Sequence, residues 1–250
     1  MNHTLKDKVI VITGASSGIG EAAARLVGAE QAKVAVVARR KDRLETLAEE
    51  ITQAGGQALV IEADVTDKNT CQAIVKQVVD KWGRLDVLVN NAGVMLLGPV
   101  IGAPLEEWEQ MVQVNVMGLL YLTHAALPVM KAQKSGHIVN ISSVAGRTTR
   151  SGSAVYNATK WGVCAFTDAL RQELAEGKTG IRTTLIEPGA VATELISHNR
   201  PEIQEQLNQR FTGIVKLTSE DIAAGILYAI SQPEHVSVNE VLIRPSGQVG

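Results

Sequence analysis

Short apolar runs and amphipathic stretches alternate along most of the chain. Runs rich in Val, Ile, Leu and Ala predict buried strands at residues 8–13, 33–38, 57–61, 85–89, 137–141, 181–186 and 238–243. Between them, apolar residues at helical spacing predict helices at residues 20–30, 42–54, 67–82, 105–131, 153–175 and 219–231. Asp42 is the predicted N-cap of the second helix, and Gly55 follows its end.

Strands that alternate with helices at this spacing are typical of βαβ units, and therefore of an α/β fold with a parallel sheet. Right-handed crossovers then place helices on both faces of the sheet. Since no linker or shift in composition divides the chain, residues 1–250 are predicted to form one domain. The polar segment at about 192–213 interrupts the alternation. It is predicted to be an insertion over the carboxyl edge of the sheet, where such folds bind ligands.

Composition and charge narrow the possible partners and the location. The net charge of −2 gives no bulk electrostatic reason to bind nucleic acid or an anionic membrane. No apolar run was found that approaches the ~18 residues of a membrane span, and no signal peptide opens the chain. Cys71, Cys164 and the scattered histidines lack metal-binding spacing, so no metal site is expected. These features predict a cytoplasmic protein with no nucleic acid or membrane partner.

A glycine-rich turn joins the first predicted strand to the first helix. Glycines let the backbone turn sharply and approach a pyrophosphate, while the helix N-terminus supplies N–H donors and a positive dipole. The spacing differs from the standard dinucleotide-binding fingerprint, but the turn has the required strand-to-helix context. The predicted cofactor-binding residues of this turn are Gly14, Ser16, Ser17, Gly18, Ile19 and Gly20.

The end of the second strand indicates which nicotinamide cofactor is bound. An acidic residue there would bind the ribose 2′-hydroxyl of NAD. Here Ala38 is followed by Arg39, Arg40 and Lys41, and arginine can bind a 2′-phosphate through paired N–H donors. Cations are also mildly unfavourable at a helix start, which argues against a purely solvated role. The pattern therefore favours NADP(H) and leaves NAD(H) possible.

Further motifs make the chain resemble the short-chain dehydrogenase/reductase family, in its compact branch and its NADP-preferring type. The resemblance covers nearly the whole chain. Besides the glycine turn, the matching residues are Asp64-Val65, Asn90-Asn91-Ala92-Gly93, Asn115, Ser142-Ser143, Tyr156 with Lys160, and Pro188-Gly189 followed by Val191 and Thr193.

The resemblance implies a doubly wound, Rossmann-type sheet of about seven strands. It implies cofactor contacts from Asp64 and Val65 to the adenine, from Asn91, Ala92 and Gly93 near the nicotinamide-side ribose, and from Tyr156, Lys160, Pro188, Gly189, Val191 and Thr193. It also implies a substrate lid after Pro188-Gly189 and a homotetramer or dimer, whose interfaces use the helices after Leu105 and Ser153.

The family's catalytic tetrad corresponds here to Asn115, Ser143, Tyr156 and Lys160. The family's usual gap of thirteen residues to the tyrosine selects Ser143 over Ser142, which would point to the other face of the extended chain. Tyr156 and Lys160 share one helix face, so we expect the lysine to lower the pKa of the phenol by roughly two to three units at most. Tyr156 would then act as general acid or base, while Ser143 would hold the reacting oxygen.

The substrate is less well defined by the sequence. Val94, Met95, Leu96 and Leu97 are expected to line an apolar pocket, and Arg147 or Arg150 would either bind a carboxylate or face solvent. Residues 238–245 resemble a subgroup of NADP-linked reductases that act on small hydroxy acids or aldehydes. The leading interpretation is a carbonyl reductase or alcohol dehydrogenase. The alternatives are an NAD-linked alcohol dehydrogenase, an epimerase or dehydratase that uses a bound nucleotide, and a non-catalytic NADP-binding sensor.

Overall fold

The computed structural model describes residues 5–210 and 212–249, and its central element is one parallel sheet. The strands are β1 (Val9–Thr13), β2 (Lys33–Ala38), β3 (Gln57–Glu62), β4 (Val87–Asn90), β5 (Gly136–Ile141), β6 (Ile181–Pro188) and β7 (Glu240–Ile243). Their order is β3-β2-β1-β4-β5-β6-β7, and every pair is parallel. The predicted doubly wound sheet is confirmed, and β1 and β4 meet at its switch point.

Helices cover both faces because the strands are apolar on both sides. The helices are α1 (Gly18–Ala29), α2 (Lys41–Gln53), α3 (Lys68–Trp82), α4 (Leu105–Val112), α5 (Leu119–Gln133), α6 (Ala154–Glu176), α7 (Pro201–Arg210) and α8 (Ser219–Ile230). One core joins α1, α2 and α8 to the sheet, and a second core joins α3, α5 and α6 to the opposite face. All five residues of β1 are buried, as expected for a central parallel strand.

Two predicted helices differ from the observed ones. The helix expected at 105–131 contains a π-helical stretch, Gln113–Gly118, between α4 and α5. Periodicity could not reveal this stretch because its residues remain helical in their backbone angles. The expected N-cap Asp42 is wrong: Arg40 is the N-cap and Asp42 lies in the first turn, where a carboxylate still favours the helix dipole.

The continuous helical run at 105–133 is long and apolar enough to span a membrane by length and composition. The expectation that no segment reaches this threshold is therefore wrong. Within the fold, however, the run packs beside the sheet: Leu122, Ala126 and Met130 are buried in the second core. It is a helical run of the α/β domain that also exposes Leu105 and Val112 on its outer side.

The segment after β6 forms two short helices over the carboxyl edge of the sheet. A 3₁₀-helix occupies Glu194–His198, and α7 follows at Pro201–Arg210. Ile203 and Leu207 of α7 pack with Tyr156 and Val94 in a third apolar cluster. Residues 194–210 therefore cover the end of the sheet on which the predicted site residues lie, and we refer to them below as the lid segment.

Candidate active site

A single large cavity, of about 500 Å³, runs from the glycine turn to the predicted catalytic residues. Every predicted cofactor-binding residue except Gly20 lines it, together with Ser143. Gly20 faces the neighbouring strand instead, since a Cβ built there would lie 2.5 Å from both the Gly14 carbonyl oxygen and the Asn91 amide nitrogen. Gly20 therefore allows close packing of the turn and does not line the cavity.

The glycine turn has a backbone conformation that favours glycine at two positions. Gly14 and Gly18 both have positive φ, +64° and +58°, which favours glycine at each position. α1 begins at Gly18, and its N-cap Ser17 makes no side-chain capping bond. The N-terminus of α1 thus points its N–H groups and its positive dipole toward the cavity.

Asn91 connects the end of β4 to the glycine turn. Its side-chain amide donates to the Thr13 carbonyl oxygen at 2.8 Å and to that of Gly14 at 3.4 Å. The Thr13 hydroxyl in turn accepts from the backbone N–H groups of Asn91 and Ala92, at 3.0 Å each. These bonds fix the two strand ends at the switch point, so the cavity floor has a defined shape.

The arginines after β2 occupy the same end of the cavity. Arg39 is exposed and lines it. Arg40 donates to the Ser16 hydroxyl at 3.1 Å and the Ser17 hydroxyl at 2.7 Å, and it pairs with Glu194 at 2.8 Å. Cationic and hydroxyl groups thus surround the rim beside Ala38, where an anion can be held.

Asp64 and Val65 line the cavity after the end of β3, the strand next to β2. Asp64 accepts from the backbone N–H and the hydroxyl of Thr66, at 2.9 and 2.8 Å, which orders the turn after β3. Val65 packs against Gly118, where an added Cβ would lie 2.9 Å from the Val65 side chain. The end of the π-helical stretch therefore sets the position of this part of the cavity rim.

Ser143, Tyr156 and Lys160 meet at the inner end of the cavity. The Ser143 hydroxyl donates to the Pro188 carbonyl oxygen at 3.4 Å, and it is near enough to the Tyr156 hydroxyl to act on the pKa of the phenol through a hydrogen bond. Lys160 donates from Nζ to the Ile141 carbonyl oxygen at 3.0 Å, and its Nζ lies 5.8 Å from the centre of the Tyr156 ring. Ser142 points elsewhere: its hydroxyl donates to the Lys160 carbonyl oxygen at 3.1 Å.

Burial, and not the lysine, dominates the ionisation of this cluster. It raises the pKa of Tyr156 to about 12, against a smaller lowering by the Ser143 hydrogen bond. The same burial lowers the pKa of Lys160 to about 8. The expected lowering of the phenol's pKa is therefore wrong for this arrangement, because the lysine is itself desolvated and directs its Nζ to a carbonyl oxygen.

Asn115 lies behind the cavity wall, within the π-helical stretch. Its Oδ1 accepts from the Val94 N–H at 2.8 Å, and its Nδ2 donates to the Val94 carbonyl oxygen at 2.9 Å and to the Thr159 hydroxyl at 3.2 Å. It thus ties the loop after β4 to the helix that carries Tyr156. Thr159 had no distinguishing signal in the sequence.

The two arginines after Ser143 have different surroundings. Arg150 lines the cavity mouth. Arg147 instead pairs with Glu187, at 2.6 Å, and with Glu240. Arg147 is therefore partly exposed to solvent, as one of the two expectations had it, but its guanidinium is held by the 1% exposed carboxylate of Glu187 and does not line the cavity. Of the four predicted pocket residues, Val94, Met95 and Leu97 line the cavity, whereas Leu96 packs beside Trp108 in the third apolar cluster.

The segment from Pro188 to Thr193 closes the far side of the cavity. Val191 forms a bridge with Leu217, and the Thr193 hydroxyl accepts from the Leu195 N–H at 3.4 Å. Sequence reasoning missed Asn199, which accepts from the Leu97 N–H at 2.7 Å and donates to the Met95 carbonyl oxygen at 2.8 Å. Only the folded chain brings Asn199 to this loop.

Comparison with known proteins agrees with this architecture. The family profile described as short chain dehydrogenase matches residues 8–204. The chain belongs to the short-chain dehydrogenase family. An oxidoreductase of Staphylococcus saprophyticus, named as uncharacterized, is 44% identical over 98% of this short-chain dehydrogenase and 99% of its own length.

Solved structures of the family superpose over almost the whole chain. A serine dehydrogenase in its closed form with NADP⁺ has a TM-score of 0.90 and 34% identity, covering 97% of this chain and 96% of its own. An alcohol dehydrogenase from Thermococcus sibiricus with 5-hydroxy-NADP has a TM-score of 0.86 and 28% identity, covering 98% and 99%. This short-chain dehydrogenase is accordingly an oxidoreductase.

Proposed function

We propose that this short-chain dehydrogenase transfers a hydride between NADP(H) and the carbonyl or secondary alcohol carbon of a small substrate. The observation that carries the proposal is the meeting of Ser143, Tyr156 and Lys160 in one cavity with the glycine turn. A turn that suits a pyrophosphate at one end and a buried proton donor at the other is the arrangement that hydride transfer needs.

Tyr156 is the proposed general acid. With a pKa raised to about 12, the phenol carries its proton at neutral pH and can donate it to a carbonyl oxygen. The hydrogen-bonded Ser143 hydroxyl would hold that same oxygen in place. The nicotinamide, when bound, supplies or accepts the hydride.

Lys160 and Asn115 would supply the proton path. Lys160, with a pKa lowered to about 8, can pass a proton near neutral pH. Asn115 supports the loop at Val94 and the helix at Thr159, so we assign it the role of holding this path open toward solvent.

The residues around Ala38 support NADP(H) as the preferred cofactor. Arg39 lines the cavity, Arg40 donates to the hydroxyls of Ser16 and Ser17, and no carboxylate follows Ala38 directly. The serine dehydrogenase and the alcohol dehydrogenase compared above bind NADP⁺ and an NADP derivative. Arg39→Ala should therefore lower kcat/KM for NADPH roughly 10-fold or more and leave kcat/KM for NADH almost unchanged.

A small hydroxy acid or its keto form is the proposed substrate class. Val94, Met95 and Leu97 supply apolar lining, while Arg150, His198 and Arg210 line the same cavity from the loop after Ser143 and from the lid segment. The two arginines at the mouth of an apolar pocket suit a carboxylate on a short carbon chain. One of the similar structures is named a serine dehydrogenase, an enzyme whose name indicates a hydroxy acid substrate.

The decisive experiment follows NADPH absorbance, with ketones, aldehydes and keto acids in the presence of NADPH and with hydroxy acids in the presence of NADP⁺. It is then repeated with NADH and NAD⁺. Tyr156→Phe should abolish turnover and retain NADPH binding, because it removes one proton donor and little volume. If Tyr156→Phe kept more than about a tenth of the wild-type kcat, Tyr156 would not be the acid. NADPH binding without turnover of any substrate would favour the sensor alternative, and a wild-type preference for NADH would favour the NAD-linked alcohol dehydrogenase.

Arg150 tests the substrate class separately. Arg150→Ala should raise KM for keto and hydroxy acids and leave neutral ketones unchanged, because only the acids carry a charge to pair with it. An equal effect on both kinds of substrate would exclude this role.

A further inference from the structure

We propose that Glu194 is a cofactor-specificity residue. Its carboxylate competes with the 2′-phosphate of NADP(H) for Arg40 and Arg43, and so reduces the preference of the enzyme for NADP(H) over NAD(H). The inference rests on the proposed NADP(H) site. It assigns to the lid segment a direct effect on the adenosine end of the cofactor.

Glu194 bridges the lid segment to the start of α2. It is the first residue of the 3₁₀-helix after Thr193, and its two carboxylate oxygens accept from Arg40 at 2.8 Å and from Arg43 at 2.7 Å. The side chains of Glu194, Arg40 and Arg43 are 40–46% exposed, so all three can exchange partners with a ligand in solution.

The ion pair lies at the phosphate-binding end of the cavity. Arg40 also donates to the hydroxyls of Ser16 and Ser17 and to the Ser16 carbonyl oxygen, at 3.1, 2.7 and 3.4 Å. Glu194, Arg40, Ser16 and Ser17 all line the cavity. The carboxylate therefore uses the guanidinium that stands beside the predicted 2′-phosphate position.

A carboxylate and a phosphate are recognised by guanidinium groups in the same way, through N–H donors directed at two oxygens. A 2′-phosphate that enters this region must displace Glu194 from Arg40 or share the guanidinium with it, and it meets a like charge in either case. NADH has a hydroxyl at that position and meets neither effect.

Glu194 is charged at every pH at which the enzyme can be assayed. The hydrogen bonds from Arg43 and Arg40 lower the pKa of Glu194 to about 2. Titration therefore cannot remove the competition, and the test requires a substitution.

The experiment compares Glu194→Gln with Glu205→Gln, measuring affinity for NADPH, NADH, 2′,5′-ADP and 5′-AMP by calorimetric titration. Glu205 is an exposed residue of α7 whose carboxylate accepts only from Gln209 among the bonds described, at 3.4 Å, and it lies away from the cavity lining. It therefore provides the same change of charge on the same segment.

Glu194→Gln should raise the affinity for NADPH and for 2′,5′-ADP roughly 3- to 10-fold. This is the scale of a charge interaction between half-exposed groups that solvent screens. NADH and 5′-AMP should change less than about 2-fold, and the effect should shrink as salt is added. Glu205→Gln should match the wild type.

Two results would overturn the inference while leaving the proposed function intact. One is weaker binding of NADPH to Glu194→Gln, which would mean that Glu194 positions Arg40 for the phosphate. The other is an equal change for NADPH and NADH, which would mean an effect on the lid segment alone. If wild type and variant both fail to bind NADPH and 2′,5′-ADP, the inference and the proposed function fall together.

Discussion

Tyr156 and Lys160 show how one environment acts differently on two ionisable groups. Burial disfavours charge, so it raises the pKa of the phenol to about 12 and lowers the pKa of the ammonium to about 8. At neutral pH the phenol is protonated and much of the lysine is still charged. The site is therefore prepared to donate a proton, as carbonyl reduction requires.

This ionisation predicts opposite pH dependences for the two directions. Reduction should keep a steady kcat below pH 8 and fall above it, because Lys160 then loses the proton that replenishes Tyr156. Oxidation should rise over the same range, since it needs the phenolate. The measurement is kcat against pH from 6 to 10 in both directions with one substrate pair. An oxidation rate that is independent of pH would contradict the assignment.

Arg147 shows how a residue near the site can serve the fold. Its partner Glu187 is 1% exposed and lies just before Pro188, so Arg147 connects the loop after Ser143 to β6. Burial raises the pKa of Glu187, and only the neighbouring guanidinium opposes this strongly.

Arg147→Ala should lower the free energy of unfolding by about 2–4 kcal/mol, because it leaves the Glu187 carboxylate buried and unpaired. Urea unfolding measures this change. Arg150→Ala, three residues along on the exposed cavity mouth, is the matched control and should change stability by less than about 0.5 kcal/mol. Equal stability of both variants would show that Glu187 finds another partner.

At the scale of elements, the π-helical stretch Gln113–Gly118 reaches two parts of the site. Asn115 holds the loop at Val94, and Gly118 lies against Val65 at the cavity rim. An extra residue within a helical turn changes the face that each side chain presents, and such stretches occur frequently at functional sites.

Gly118→Ala should therefore weaken cofactor binding. The added Cβ would lie 2.9 Å from the Val65 side chain and 3.1 Å from its carbonyl oxygen, so the rim must move. The cost is about 1–3 kcal/mol, shared between stability and binding. NADPH titration measures the loss of cofactor affinity, and thermal unfolding measures the loss of stability. Adding Val65→Ala to Gly118→Ala should restore part of both losses. Unchanged cofactor affinity would show that the rim adjusts freely.

At the scale of the whole molecule, three large apolar side chains on the helical run at 105–133 and on α6 are exposed. Leu105, Val112 and Trp161 are exposed by 60, 40 and 48%. Exposed apolar area of this kind marks an interaction surface on a soluble protein. We propose that it is an interface between copies of this chain, in a homotetramer or a dimer.

Trp161→Asp should therefore reduce the molar mass in solution, because it places a charge within the proposed interface. Size-exclusion chromatography with light scattering measures the mass. Val215→Asp is the control, because Val215 is 90% exposed on a loop outside these helices. The molar mass of this variant in solution should equal that of the wild type. A wild-type monomer, or no effect of Trp161→Asp, would contradict the proposed interface.

The sequence alone was enough to predict the parallel sheet, the helices on its faces and the glycine turn. These features follow from local periodicity and from backbone preferences, which depend on neighbouring residues. Its motifs also indicated that Ser143, Tyr156 and Lys160 belong together, and helical spacing already placed Tyr156 beside Lys160.

The tertiary structure decided what depends on distant contacts. Arg147 pairs with Glu187, 40 residues further along the chain, and Glu194 pairs with Arg40, 154 residues before it. The local sequence around each residue could not predict either partner. The pKa of Tyr156 likewise depends on burial by α7, the loop after β4 and the strand ends, none of which its own helix reveals. Periodicity reports only the local chain, whereas ion pairing and desolvation arise when separate segments meet.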